Sequence, residues 1–171
     1  MDRRMGVLGA PHGTYAAGDA ATACGWDTPH WHQMRLWSQA RRAGVYAAAC
    51  MAGAPNAELD ADGSFELFTH STRFFGQRVV LLGRYNGQGV EEAAADCVSY
   101  SRVTPPGPGG AGGSFVRILL VRGRLRGAVL IGEEVADLCE TFEHLILDEL
   151  DLSAHGAHLL DPDVDIEDYF D

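Results

Sequence analysis

The spacing of apolar residues predicts two long helices, one in each half of the chain. From His30 to Met51 the sequence is rich in alanine and free of proline, and small apolar residues recur every three or four positions. Pro29 precedes this stretch, at a position that suits the start of a helix. Residues 134–150 form a second, strongly amphipathic pattern. The two stripes are Leu36, Ala40, Ala43, Ala47 and Cys50, and Val135, Leu138, Phe142, Leu145, Ile146 and Leu150.

Shorter apolar runs predict strands. The predicted strands cover residues 14–17, 79–85, 97–103, 115–121 and 125–131. The first is short and apolar, so we expect it to be buried, and it stops at Gly18-Asp19. The second is uniformly apolar, which is typical of a strand buried on both faces. The last two flank Arg122-Gly123-Arg124 and therefore predict an antiparallel hairpin.

These elements predict an α+β protein with a domain boundary near residues 55–64. Residues 1–58 form the remnant of one domain. Residues 64–160 form a compact C-terminal domain, in which an antiparallel sheet is covered on one face by the last helix. Residues 161–171 form an acidic tail.

Charge is distributed very unevenly, and this limits the classes of partner. From Glu133 to Asp171 there are 14 acidic residues and no Lys or Arg, whereas residues 1–132 have 10 acidic residues and all 13 arginines. Residues 1–132 therefore carry a charge of +3 and residues 133–171 a charge of −14, which together give the net charge of −11. Phosphate contacts need positive charge, so we expect no direct binding of nucleic acid. The acidic end suits a basic or metal-containing partner, or else a solvated tail that keeps the chain soluble.

Cysteine spacing and hydropathy exclude several further classes. The cysteines are far apart and form no C-x-x-C pair, which argues against a zinc site and against a local redox dithiol. No apolar run approaches the about 20 residues that span a bilayer, and the first residues lack the apolar stretch of a secretory signal. We therefore expect free thiols in a reducing compartment and no membrane association.

The candidate chemistry lies where the first predicted strand ends. Gly18 lets the backbone approach a ligand closely, and Asp19 can accept hydrogen bonds from the ribityl hydroxyls of a flavin. The predicted helix begins near Trp31-His32-Gln33, where free N–H groups and the positive end of the helix dipole suit the flavin N1/C2 region. An Ala-Gly-Asp turn by itself is usually only a turn. Trp31 suits a flavin wall and a packed core equally well.

Ala16-Ala17-Gly18-Asp19 resembles the second FAD motif of the pyridine nucleotide-disulfide oxidoreductases. Further segments, in the order of that family, are similar to it: residues 33–41, 79–86, 127–133, 140–143 and 163–171. The resemblance implies that residues 1–58 are the C-terminal remnant of an FAD-binding α/β domain. It also implies that Asp19 binds the ribityl chain, that Gly18 permits its approach, and that Trp31 and Gln33 lie near the isoalloxazine ring.

The same resemblance implies an activity, partners and a location. The chain would be the C-terminal part of an FAD-dependent, NAD(P)H-linked oxidoreductase that has only half of the FAD site, with NAD(P)H bound by a domain absent from this chain. The partner implied is an RNA ligase, more specifically a tRNA ligase that is protected from oxidation, reached through the acidic tail Asp161 to Asp171. A homodimer and a cytoplasmic or nuclear location follow from the same comparison.

The sequence also departs from the family pattern. No G-x-G-x-x-G stands between a strand and a helix, since the dense glycines, Gly107 to Gly113, sit among prolines in a loop; the first FAD fingerprint is therefore missing. A redox cysteine pair and a His-Pro-Thr motif are missing too, since His70 is followed by Ser71-Thr72. We therefore assign no catalytic residue and no metal ligand, and expect the isolated chain to be inactive. The alternative is a non-enzymatic interaction domain that uses its sheet and its acidic tail.

Overall fold

The structure, a computed structural model, describes residues 1–22, 28–54, 65–90, 95–109, 112–133, 135, 137–164 and 166. It divides into two compact units, Met1–Leu67 and Phe68–Asp171, each of which is described by itself. The predicted boundary at residues 55–64 lies outside the described residues. Among the helices of the described ranges, none is long and apolar enough to cross a membrane.

The first unit is built on helix α1 (Trp37–Met51), which buries Tyr46, Ala47 and Cys50. The predicted start at His30 is wrong, because residues 30–36 are not helical. The side chain of Gln39 gives the reason: its Oε1 accepts the N–H of Met34 at 2.7 Å, and its Nε2 donates to the carbonyl of His32 at 3.2 Å. Backbone groups that a longer helix would pair internally are thus bonded to a side chain.

The predicted strand at residues 14–17 is reduced to a single antiparallel bridge between Tyr15 and Gly6. The N–H of Val7 donates to the carbonyl of Thr14 at 2.9 Å beside it. Thr14 is exposed and residues 15–17 are half-buried, so the expectation of a buried strand is wrong. The ladder ends because Gly18–Ala20 turn into a short 3-10 helix.

The second unit contains a five-stranded antiparallel sheet. Its strands are β1 (Thr69–Phe74), β2 (Gln77–Gly83), β3 (Cys97–Thr104), β4 (Ser114–Val121) and β5 (Arg124–Ile131). They lie in the order β1-β2-β5-β4-β3. Helix α2 (Asp137–Leu147) packs against β5 and β2. The predicted α+β class, with a helix on one face of an antiparallel sheet, is confirmed.

Alternate residues of the central strands form the core of the second unit. In the register, Leu82 faces Ala128 and Val80 faces Leu130. The buried residues of the sheet and of α2 include Val80, Leu82, Val116, Ile118, Leu120, Leu125, Ala128, Leu130, Phe142, Leu145 and Ile146. Val79 and Leu81 point to the other face and are only half-buried, so the expectation that this strand is buried on both faces is wrong.

Several features of the second unit differ from the sequence pattern. Strand β2 runs from Gln77 to Gly83 and not over residues 79–85. Strand β1 was not predicted, because Thr69 to Arg73 has no apolar alternation and the strand pairs only with β2 at the sheet edge. Helix α2 ends at Leu147, three residues before the predicted end. Glu149 adopts a left-handed backbone conformation with φ of 53°, which terminates the helical path.

Candidate functional site

The four residues predicted to contact a flavin line one pocket of the first unit. Gly18 and Asp19 come from the 3-10 turn, and Trp31 and Gln33 come from the extended segment before α1. Ala40 and Ala43 of α1 form a further wall. The fold thus brings together residues that are distant in the sequence, since Gly18 and Gln33 lie 15 positions apart.

The turn at Gly18 has a backbone conformation that favours glycine. Its φ is +74°, in the left-handed region that L side chains rarely adopt. The N–H of Ala21 donates to the carbonyl of Gly18 at 3.1 Å and closes the turn. A Cβ at position 18 would lie 3.5 Å from the Cβ of Ala40, which is an ordinary contact distance. The backbone conformation, rather than a lack of space, therefore requires glycine here.

Asp19 presents its side chain to solvent at the edge of the pocket. The hydrogen bonds of the described residues give its carboxylate no partner, and only its backbone carbonyl accepts a long bond of 3.5 Å from Nε of Arg35. A solvated carboxylate beside a glycine turn can accept hydrogen bonds from the hydroxyl groups of a ligand. This arrangement is chemically suited to the ribityl role that the resemblance implies.

Gln33 has a structural bond within the pocket wall. Its Nε2 donates to the carbonyl of Ala21 at 2.8 Å and ties the extended segment to the turn. The predicted helix N-terminus at residues 31–33 is wrong, because α1 begins at Trp37. The dipole argument made for Trp31 and Gln33 therefore does not apply to them.

Trp31 is both a core residue and a pocket residue. It is 6% exposed, and its ring meets Phe65 edge-on with centroids 5.4 Å apart. Phe65 in turn meets Tyr46 of α1 edge-on at 5.6 Å. Both Phe65 and Met5 line the pocket, and no periodic pattern in the sequence would have indicated them. Trp37 is 80% exposed, and Trp26 lies outside the described residues.

The pocket is narrow. Its volume is about 20 Å³, which is room for about one water molecule. A flavin ring does not fit inside it, although the exposed carboxylate of Asp19 can reach a ligand that lies at its mouth. The residues present thus suit the polar edge of such a ligand and not an enclosed isoalloxazine.

The described thiols have no features of a redox centre. Cys50 is buried, Cys97 and Cys139 are half-buried, and none of the three forms a disulfide. Burial and the neighbouring carboxylate of Glu143 raise the pKa of Cys139 from 9.0 to about 11. A thiol with this pKa is protonated at neutral pH and is a weak nucleophile. Cys24 lies outside the described residues, among which no group of three or more His, Cys, Asp and Glu could hold a metal ion.

Part of the acidic tail is buried. Ile166 is 5% exposed and Val164 is half-buried. Just before the tail, the guanidinium of Arg102 donates to the carbonyl of Leu160 at 2.6 Å. The side chain of Ile166 is therefore covered by other residues of this chain. Residues 165 and 167–171, which include both tail aromatics, lie outside the described residues.

Comparison with known proteins gives one consistent relationship. No protein-family model matches the chain. A mouse protein is 54% identical over 158 residues, a human protein is 51% identical over 158 residues, and a Dictyostelium discoideum protein is 43% identical over 176 residues. Each match covers 92% of this chain. All three proteins are named pyridine nucleotide-disulfide oxidoreductase domain-containing protein 1.

The relatives are much longer than the segment they share with this chain. The match covers 30%, 29% and 31% of the mouse, human and Dictyostelium proteins, respectively. Over nearly its whole length, the chain is therefore similar to about 30% of pyridine nucleotide-disulfide oxidoreductase domain-containing protein 1.

Proposed function

We propose that this chain supplies part of the flavin site of an FAD-dependent, NAD(P)H-linked oxidoreductase. Residues 1–58 are then the C-terminal remnant of an FAD-binding α/β domain. The observation that supports this most is the mouth of the pocket, where the turn at Gly18, in a left-handed conformation, presents the solvated carboxylate of Asp19. The names of the longer relatives agree with an oxidoreductase.

In this proposal the isolated chain is inactive, because it has too few contacts to retain FAD. The pyrophosphate of FAD is normally bound by a glycine-rich turn at a helix N-terminus, and the first FAD fingerprint is missing from this sequence. Asp19 offers one or two charge-assisted hydrogen bonds of roughly 1.5–3 kcal/mol each. Association itself costs at least about 4 kcal/mol. NAD(P)H is bound by a domain absent from this chain.

The proposal is tested by titrating FAD into the purified chain and following the quenching of flavin fluorescence. We expect a colourless protein and a Kd well above about 1 µM, since the available contacts barely offset the cost of association. A sub-micromolar Kd for the isolated chain would mean that a complete flavin site is present, and the half-site proposal would be wrong.

We further propose that the end of the acidic tail docks on an RNA ligase that the oxidoreductase protects from oxidation. Six of the eleven residues from Asp161 to Asp171 are acidic, and Tyr169 and Phe170 stand among them. Carboxylates that pair with Arg, Lys or a bound metal, together with aromatic anchors, suit a basic cleft. The burial of Ile166 limits this role to the last residues.

Two truncations distinguish binding of the ligase by the tail aromatics from the packing of Ile166 within this chain. A chain that ends at Ile166 keeps the buried side chain and loses both aromatics, whereas a chain that ends at Leu160 loses the whole tail. Affinity for the ligase is measured for both at low and high salt. We expect both truncations to weaken binding about equally and the salt dependence to decrease. Unchanged affinity in the chain ending at Ile166 would exclude docking by Tyr169 and Phe170.

A second candidate function, a non-enzymatic interaction domain, is favoured by the tip of the β1–β2 hairpin. Phe74 and Phe75 are 65% and 91% exposed, and their rings lie edge-on 4.5 Å apart. Exposed adjacent aromatics are typical of a contact surface, and a homodimer is one arrangement that would cover them. The test is the oligomeric state of the Phe75→Ser variant by sedimentation. A dimer that persists unchanged would exclude this tip as the contact.

A further inference from the structure

Helix α1 is apolar on the side that faces solvent as well as on the side that is buried. Tyr46, Ala47 and Cys50 are buried within the first unit. On the opposite side, Trp37, Val45 and Met51 are 80%, 66% and 62% exposed. We call this second side the Trp37 face; it consists of Trp37, Arg41, Val45, Ala48 and Met51.

The Trp37 face is continuous along the helix. Its members follow one another at spacings of four, four, three and three residues, which places them on one side of an α-helix. Arg41 is its one charged member, and the guanidinium carbon lies 5.9 Å from the centre of the Trp37 ring. A surface helix normally has a polar outer face, whereas a helix that is apolar all round is typically packed between two layers. The first unit supplies one of those layers.

We infer that the Trp37 face is the docking surface for the polypeptide that corresponds to the rest of the longer relatives. This inference rests on the proposed function, in which the chain is part of a larger oxidoreductase. This chain covers only about 30% of those relatives, so about 70% of such a protein lies outside the matched segment. That polypeptide would present an apolar centre to Trp37 and Val45, with acidic side chains at the rim beside Arg41 and Arg42.

A second copy of this chain suits the surface less well. A two-fold interface through α1 would place the same surface patch of both copies face to face. Each copy would then bring Arg41 and the exposed Arg42 to the contact with no acidic residue of α1 to pair with them, and like charges placed together oppose association. The positive edge of the Trp37 face therefore favours a different polypeptide with complementary charge.

The inference is tested by measuring the accessibility of position 45. The part of the mouse relative outside the matched segment is joined to this chain in the order in which it stands in that relative. Val45→Cys is labelled with a maleimide in the unfused chain and in the fusion, and its peptide is quantified by mass spectrometry. Val103→Cys is the matched control, because Val103 is 70% exposed and lies on β3 of the other unit.

We expect fusion to slow labelling at Val45→Cys at least tenfold and to leave labelling at Val103→Cys unchanged. No FAD is added, so the result is independent of whether the flavin site works. Unchanged labelling at position 45 in a fusion that melts cooperatively would overturn the inference. If the fusion does not melt cooperatively, the same labelling is measured on this chain co-expressed with the relative's remaining part, and lack of protection there is equally decisive. Protection that depends only on the concentration of this chain would identify a second copy as the occupant, which also overturns it.

Discussion

The Nε2 amide of Gln33 donates a hydrogen bond of 2.8 Å to the carbonyl oxygen of Ala21. The bond joins the extended segment before α1 to the turn that contains Gly18 and Asp19. Because Trp31 lies two residues before Gln33, the same bond ties the segment that contains Trp31 to the turn that contains Asp19. The pocket geometry therefore depends on a side chain whose role is structural in this unit.

Replacing this side chain tests how much the bond stabilises the first unit. We expect Gln33→Leu to lower the free energy of unfolding by about 1 kcal/mol, the usual net value of one such bond. All three tryptophans, Trp26, Trp31 and Trp37, lie in the first unit, so tryptophan fluorescence in urea reports on that unit alone. Gln77→Leu, at an exposed site in the second unit, is the control. Equal urea midpoints for both variants would exclude a structural role for the Gln33 amide.

Replacing Gly18 tests the left-handed backbone conformation of the turn, because this conformation and not a lack of space requires glycine there. With φ at +74°, alanine should destabilise the first unit by about 1–2 kcal/mol. Gly44→Ala is the matched control: Gly44 lies within α1 and a Cβ there meets nothing within 4 Å, so alanine should stabilise the helix by up to about 1 kcal/mol. The free energy of unfolding of both variants is measured in the same urea titration, and the two changes should have opposite signs. Equal and small effects would contradict the strained conformation at Gly18.

The β4–β5 hairpin and the apolar face of α2 could be predicted because their determinants are local. Two apolar runs flank Arg122-Gly123, and these residues have φ values of 51° and 74°, as a two-residue hairpin turn requires. Phe142, Leu145 and Ile146 are buried as their spacing predicts. In each case a few neighbouring residues determine both the element and its buried face.

The start of α1 and the edge strand β1 could not be predicted, because contacts outside the local pattern determine them. The helix begins at Trp37 since Gln39 bonds the backbone of His32 and Met34. Strand β1 is polar and forms by pairing with β2. The grouping of Gly18, Asp19, Trp31 and Gln33 was predicted through the family resemblance. That Met5 and Phe65 join them depends on the tertiary fold.

The Cys139 thiol predicts a specific pH dependence. Burial and Glu143 raise its pKa from 9.0 to about 11, so the neutral thiol is favoured in the folded state. The associated stability is fully present below pH 9 and is lost as the pH rises through about 11.

The same shift predicts how fast the Cys139 thiol is alkylated. At pH 8 we expect its alkylation in the folded chain to be about a hundredfold slower than in the chain unfolded by urea, since two pKa units change the thiolate fraction by that factor. Glu143→Gln should raise the alkylation rate of Cys139 only part of the way, because burial, the larger cause of the raised pKa, remains.

Alkylation is followed by mass spectrometry of the peptide that contains Cys139. Cys97, for comparison, is half-buried on β3 and serves as an internal reference in the same sample. Equal alkylation rates for Cys139 in the folded and the unfolded chain at pH 8 would show that its thiol is not perturbed.

The second unit should fold without the first. Its sheet buries an apolar face under α2, and that core is contained within the unit. We expect a chain of residues 60–171 to melt cooperatively by circular dichroism, with no flavin present. A broad, non-cooperative loss of signal would show that residues before 60 are needed for the sheet to form.

The half-site account predicts that Asp19 contributes to FAD binding once the polypeptide that corresponds to the rest of the longer relatives is present. The most direct test is the Kd for FAD of the fusion with the mouse relative's remaining part, measured with and without Asp19→Asn, with Asp96→Asn as a control in the second unit. Loss of a charge-assisted hydrogen bond of about 1.5–3 kcal/mol corresponds to a Kd about 10- to 150-fold weaker. The account predicts that weakening for Asp19→Asn and no change for Asp96→Asn. An unchanged Kd in Asp19→Asn would contradict the assignment of this pocket as half of a flavin site.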